Sequence, residues 1–371
     1  MHAPSVGEGL QARPVLEALR AGHPELQLAY TYYSPSAQAF AGSLPVDFVD
    51  ILPFDTRSAA RAALDAIAPT MLVFSKLDVW PFLVEEAHAR NVRIALISAT
   101  LPPRSGRRGW LGTALLRDAY ARLDAVGAIS GDDAERLVEL GCRAAAVEVT
   151  GDTRYDQVWE RSRRADRDGS LLAPLASPRL TLVAGSTWPS DDARLLPAFL
   201  RARAAMPGLR CLLAPHEPNA AAVARLEAWA ASARLEVRRL GDPLAHGADV
   251  IIVDRVGVLG DLYALADVAY VGGGFHEAGL HSVLEPAAYG APVSFGPMHE
   301  NSREAGLLER EGGGASAVDM ESLASILSRW AVDAGARLDA GHRARALVER
   351  SLGATDRSVA LVERLMAGDA R

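Results

Sequence analysis

Cysteine is scarce. Cys142 and Cys211 are the only two in 371 residues, and they stand far apart in the chain. That excludes a disulfide framework or a cysteine-rich metal cluster and suits a reducing cytoplasm. No apolar run approaches the roughly 18 residues needed to cross a bilayer, and residues 1–20 carry no signal-peptide pattern, so membrane contact is expected to be peripheral. Positive charge is in deficit too. A net charge of −7 argues against broad nucleic-acid binding, which needs a basic field, while leaving room for a local basic patch. Internal repeats and low-complexity segments are missing as well. What is present is ordinary: 49% hydrophobic residues suffice for sizeable cores, and a 23% charged fraction sets aside disorder and coiled coil.

A chain of 371 residues is about twice a typical domain, so two domains are expected. Short β-branched runs fall at 26–33, 46–53, 71–75, 92–98, 125–130 and 146–150, and again at 180–184, 209–214, 235–239, 250–253, 268–271 and 292–295. Helical patterns such as 57–67, 81–90, 111–123 and 132–140 lie between them. This alternation predicts parallel sheets built from βαβ units. Residues 159–178 are charged, then rich in Pro, Ser and Ala, with no strand signal. The expected division is a first α/β domain over 1–163, a linker over 164–178 and a second α/β domain over 179–345. Residues 340–371 read as helical throughout, and the stretch 346–371 is expected to pack back on the first domain. Two doubly wound domains imply a ligand cleft at the carboxyl ends of their strands, so the chemistry is sought just after strands.

Several segments qualify, and each admits a bland alternative. In HAPSVGEG, Glu8 opens an apolar helical run, either as a working acid or base or as a helix-end charge. Gly185, Ser186 and Thr187 follow the strand LTLVA and suit an anion held by backbone amides, hydroxyls and a helix N-terminus; a capped strand-to-helix turn reads the same way. Gly272, Gly273 and Gly274 lack dinucleotide-fingerprint spacing, but with Glu285 in the helix beyond they suit a nucleotide-sugar site. A tight turn with a helix-dipole Glu is the alternative. His216 and Glu217, framed by Pro215 and Pro218, form a rigid loop or a plain surface pair. Lys76 and Asp78 either face a ligand or cap a helix. Arg104, Arg107 and Arg108 form the strongly basic cluster, able to grip phosphates bidentately, with Trp110 and Leu111 placed to dip into a lipid interface. From the residues alone, a solvated charged loop is the favoured reading.

Taken in order, HAPSVGE, TYYSPSAQ, KLDVWP, GDTRYDQV, VAGSTW, APHEP, VGVL and VGGGF…HSVLEPAA…PVSFGP resemble the 3-deoxy-D-manno-octulosonic acid (Kdo) transferases of lipopolysaccharide assembly. The pieces span residue 2 to about residue 310, and eight weak motifs in order make a specific signal. The resemblance implies a GT-B fold, α/β with two Rossmann-like parallel-sheet domains facing a central cleft. It implies an inverting glycosyltransferase that moves Kdo from CMP-Kdo to a lipid A precursor at the cytoplasmic face of the inner membrane, with no metal or other cofactor and no nucleic-acid partner. The first domain would then bind the acceptor and the second the sugar donor.

The same resemblance makes Glu8 the general base, apt if partial burial raises its pKa towards working pH. It assigns Gly185, Ser186 and Thr187 to the donor's phosphate and carboxylate, and Glu285 to the ribose. His216, Glu217, Gly257, Gly273, Gly274, His281 and Ser282 complete the expected donor surface. Ser5, Gly7, Lys76 and Asp78, with Arg104, Arg107 and Arg108 for phosphates, form the expected acceptor surface. The chain departs from the family where Lys76-Leu77-Asp78 replaces E-T-E, where Pro215-His216-Glu217-Pro218 replaces P-R-H-P and removes an arginine, and where Ser282 replaces Asn. The family's N-terminal membrane helix and first strand are absent from it, so His2-Ala3 is expected to end a short or missing strand. Two alternatives remain: a GT-B enzyme with another donor or acceptor, and a non-catalytic sugar-nucleotide or lipid-binding protein.

Overall fold

The computed structural model describes residues 1–103 and 105–368, and it divides into two compact units, Met1–Gln157 with Ser351–Arg371, and Val158–Arg350. In the first unit β1 (Ala29–Tyr32) pairs with β2 (Phe48–Ile51), and β3 (Met71–Ser75), β4 (Arg93–Ala99), β5 (Ala125–Ala128) and β6 (Val147–Val149) form a second ladder in that order. Every pairing is parallel. His2 joins the two ladders through single-residue parallel bridges to Thr31 of β1 and Phe74 of β3. Its amide donates to Val73 O at 2.8 Å, and the Ala3 amide donates to Thr31 O at 3.0 Å. Towards the amino ends of β1 and β3 lies a cavity of about 870 Å³, lined in part by Met1, Leu16, Leu28, Leu64 and Leu72.

Side-chain alternation explains why β3 and β4 read as continuous apolar runs. Leu72, Phe74, Ile94 and Leu96 enter one buried cluster, with Leu83, Val84 and Tyr120. Val73, Ala95 and Ile97 enter another, with Val15 and Leu19 of the helix Val6–Gly22 and Leu361, Val362 and Leu365 of the helix Ala354–Ala367. A strand covered on both faces has no polar side to show. Residues 340–368 are not one helix. The helix Ala334–Glu349 belongs to the second unit, and the chain breaks before Ala354, where Gly353 takes φ +87° and Asp156 accepts from the Gly353 and Thr355 amides at 2.7 and 2.6 Å.

The second unit holds a seven-stranded parallel sheet in the order β13-β12-β11-β7-β8-β10-β9. Its strands are β7 (Thr181–Thr187), β8 (Arg210–Pro215), β9 (Val237–Arg239), β10 (Val250–Ile252), β11 (Val268–Val271), β12 (Val293–Phe295) and β13 (Gly314–Ser316). Leu182, Ala184 and Leu213 face one core and Val183 and Leu212 the other, so helices cover both faces. Strand order reverses at β7, which puts the topological switch at the carboxyl ends of β7 and β11. Residues 164–178, expected as a linker, belong to this unit. Leu172 and Leu175 are buried in its core, and the division between units falls at 157/158, inside the helix Thr153–Arg164. The charged and proline-rich composition of that stretch hides its few apolar anchors.

Candidate active site

Glu8 is the third residue of the helix Val6–Gly22, just after Ser5 and Gly7. It is buried, and its carboxylate is held from two sides. The Ser5 hydroxyl donates to Oε2, and Lys76 Nζ donates to Oε1 at 3.0 Å. Lys76 reaches it from the turn after β3, where its backbone takes a left-handed φ of 71°, a strained conformation for a non-glycine residue that costs roughly 1–3 kcal/mol. Ser75 Oγ donates to the Glu8 carbonyl at 3.0 Å. Below this turn Thr153 Oγ1 donates to Gln11 O at 2.7 Å and Gln11 Nε2 donates to Asp152 at 3.3 Å, so the GDTR segment buttresses the helix that carries Glu8. The raised pKa expected of Glu8 is not found. Burial alone pushes the carboxyl up, but the Ser5 hydroxyl and the Lys76 ammonium outweigh it and hold the group below its ordinary value.

The basic loop is internally paired. Arg107 Nη2 binds the Asp78 carboxylate and Nη1 donates to Leu77 O at 2.9 Å, so two expected acceptor residues face each other. Arg108 pairs with Glu139 at 3.0 Å and donates to Pro103 O at 2.7 Å. Arg104 lies outside the described residues. These ion pairs are partly solvent-exposed and so individually weak, about 0–1 kcal/mol. The helix Trp110–Ala121 begins directly afterwards. Trp110 (80% exposed), Leu111 (56%) and Leu115 (73%) share one of its faces with exposed Ala114. No helix among the described residues is long and apolar enough to cross a membrane.

In the second unit the loops after β7, β8 and β11 converge on one ring cluster. Trp188 stacks with His276 (centroids 4.0 Å, 7° between planes) and with His216 (4.3 Å, 23°), and His216 stacks with His281 (4.6 Å, 29°). Behind the rings lies fully buried Asp191, which accepts from the amides of Trp188 (2.9 Å), Gly273 (2.8 Å) and Phe275 (3.3 Å) and from the Tyr270 hydroxyl (2.8 Å). It ties the GSTW turn to the glycine loop. The amide of Gly273, a residue of the expected donor surface, therefore faces Asp191. Gly273 has φ +93°, and a Cβ on Gly274 would stand 2.5 Å from the Gly296 amide, so close approach of two chain segments demands these glycines. Gly185, Ser186 and Thr187, expected to follow the strand, are the last three residues of β7, with an irregularity at Ser186, whose φ is a left-handed 54°; Thr187 is buried, and Glu217 and Ser282 are exposed.

A third group sits around Arg161, in the second-unit part of the helix Thr153–Arg164. Its Nε pairs with Asp261 at 2.8 Å, Nη1 lies 3.7 Å from Glu285 Oε1, and Nη2 donates to Gly257 O at 3.3 Å. Burial pushes the Glu285 carboxyl up, with Arg161 opposing and Asp261 adding to the rise. Gly257 takes φ +87°. Arg161 thus links two expected sugar-donor residues, Gly257 and Glu285. Sequence reasoning passed over it because it lies in a charged run. Asp191 and His276 were also missed; the Asp at the third position of a helix after a strand was the available signal for the first. Among the described residues no group of three or more His, Cys, Asp and Glu side chains is arranged to hold a metal ion.

Two units built on parallel sheets, each with its polar motifs at the carboxyl ends of its strands, define a GT-B-type fold. The same fold is seen in a putative UDP-N-acetylglucosamine 2-epimerase from Listeria monocytogenes (TM-score 0.66, 13% identity, 99% of this chain and 96% of that one). It recurs in the UDP-GlcNAc 2-epimerase from Neisseria meningitidis bound to UDP-GlcNAc (TM-score 0.65, 14% identity, 99% and 98%). Such identities speak for the fold alone. Sequence goes further: residues 1–157 match the family described as 3-Deoxy-D-manno-octulosonic-acid transferase (kdotransferase). The 3-deoxy-D-manno-octulosonic acid transferase of Bordetella pertussis is 34% identical over 316 residues, covering 82% of this chain and 72% of that protein. The Haemophilus influenzae transferase of the same name is 27% identical over 308 residues, with coverages of 80% and 70%. The chain belongs to the 3-deoxy-D-manno-octulosonic acid transferase family and is a glycosyltransferase.

Proposed function

We propose that this protein transfers Kdo from CMP-Kdo to a hydroxyl of a lipid A precursor with inversion at the anomeric carbon, and that Glu8 is the general base. The observation that carries the reading is the Glu8 carboxylate, fixed at the first turn of its helix between the Ser5 hydroxyl and the Lys76 ammonium. In the reaction the acceptor oxygen bonds to the anomeric carbon while the bond from that carbon to the CMP phosphate breaks. CMP leaves with the electron pair, and the acceptor proton passes to Glu8. The low pKa keeps Glu8 ionised and ready at neutral pH. It makes Glu8 a weak base, matched to a proton that becomes acidic only as the new C–O bond forms.

On this reading the sugar donor lies on the second unit, its ribose hydroxyls on Glu285 and its anionic groups by the carboxyl end of β7 at Gly185, Ser186 and Thr187 and by the ring cluster. The acceptor's phosphates compete with Asp78 and Glu139 for Arg107 and Arg108, and the exposed face of Trp110, Leu111 and Leu115 rests at the membrane interface. Mass spectrometry of a reaction holding CMP-Kdo and a tetra-acylated lipid A precursor tests the reading. A product heavier by Kdo residues is expected; no transfer to any lipid A-type acceptor refutes it. Glu8→Gln is expected to cut kcat about 10²–10⁴-fold, the range for loss of a general base, with CMP affinity kept.

A further inference from the structure

Trp188 Nε1 lies 3.3 Å from His281 Nε2. An indole nitrogen only donates, so the accepting Nε2 carries a lone pair and a neutral His281 bears its proton on Nδ1. Nδ1 itself has no partner among the described residues. The neighbouring His276 has the opposite arrangement, because the Ala278 amide donates to its Nδ1 at 3.1 Å, leaving Nε2 as the protonated nitrogen of the neutral ring. The rings are held by stacking, His276 and His216 on Trp188 and His216 on His281. The charged and titratable groups acting on His281 are His216, His276 and Asp191. Burial first, then His216 and His276, disfavour its second proton, and Asp191 opposes them.

We propose that Trp188 is a positioning residue that fixes His281 in the Nδ1–H tautomer, so that the second unit offers a neutral hydrogen-bond donor to an anionic oxygen of the bound nucleotide. A ligating histidine is oriented by the bond its other ring nitrogen makes, and the indole plays that part here. A neutral donor also makes nucleotide binding insensitive to pH near neutrality, which an imidazolium would not. The proposal rests on the assignment of the sugar donor to this unit, and its test separates the two.

Nitrogen-15 NMR of the ligand-free wild type across pH 6–8 reads the tautomer directly. The Nδ1–H form of His281 is expected throughout, and an Nε2–H form overturns the proposal. Trp188→Phe keeps an aromatic ring for stacking and removes the N–H. His281 should then become a mixture of the two neutral tautomers. CMP binding, flat with pH in the wild type, should weaken up to about fivefold, the loss of one ordinary hydrogen bond. A variant with the wild-type tautomer and wild-type CMP affinity refutes the role of Trp188. A wild type that binds no CMP overturns the sugar-donor assignment, while the NMR spectra still decide what Trp188 does to His281.

Discussion

Asp191 offers a severe test of how the second unit is assembled. Four hydrogen-bond donors, three of them backbone amides, converge on one fully buried carboxylate. Asp191→Ala leaves all four without a partner. Each unsatisfied buried donor costs about 1–3 kcal/mol, so the sum starts near 4 kcal/mol, and water entering the space left by the carboxylate keeps it towards the lower end. Against a whole-protein stability of about 5–15 kcal/mol that is a large fraction. Asp191→Asn keeps the shape and one accepting oxygen but turns an NH₂ towards two of the donors, and about 2 kcal/mol is expected. Urea titration followed by circular dichroism should show the transition of the second unit moving to lower urea in the order wild type, Asn, Ala. Two units need not unfold together, so amide exchange at Gly273 and Phe275 supplies the local reading. Both amides should be protected in the wild type and exchange quickly in Asp191→Ala. An Ala variant within about 0.5 kcal/mol of wild type, with those amides still protected, refutes the reasoning.

Two further outcomes concern the first unit. Burial raises the Glu8 carboxyl, but Ser5 and Lys76 hold it below its ordinary value. The stability this contributes is therefore present above the unfolded carboxylate pKa and is lost as pH falls through the folded one. Lys76→Met removes one restraint, so the acid limb of the kcat/KM profile should move to higher pH; an unmoved limb rules out Glu8 as the titrating base. The Trp110→Ser, Leu115→Ser double variant should sediment several-fold less with anionic vesicles while CMP affinity stays at the wild-type value. Equal sedimentation would remove that helix face from the membrane contact.

Much of the architecture could be read from the chain because strands buried on both faces, such as Leu72–Ser75 and Val183–Ala184, have no polar alternation to confuse them. β13 escaped because Gly314-Ala315-Ser316 carries none of the β-branched bulk that marks a strand. Glu8 was legible as the first charge of a helix in an ordered set of motifs. The sense of its pKa shift was not, since that depends on a lysine 68 residues away held in a left-handed turn. The pairing of Arg107 with Asp78 was hidden for the same reason, as it needs the loop after β4 to fold over the loop after β3. Arg161 shows the converse error. A composition that reads as linker begins in a helix in which Arg161 gathers Gly257, Asp261 and Glu285.

The helix Ala354–Ala367 sets the order of events during synthesis. Its Leu361, Val362 and Leu365 cover Val15, Leu19, Val73 and Ile97, yet they leave the ribosome only after the whole second unit has been made. At about 5–20 residues per second, the intervening stretch of roughly 200 residues keeps that apolar face uncovered for about 10–40 s. The second unit is contiguous in sequence and can close first, so the first unit to emerge is the last to be completed. A nascent chain stalled near residue 157 is therefore expected to recruit chaperones rather than stand as a finished domain.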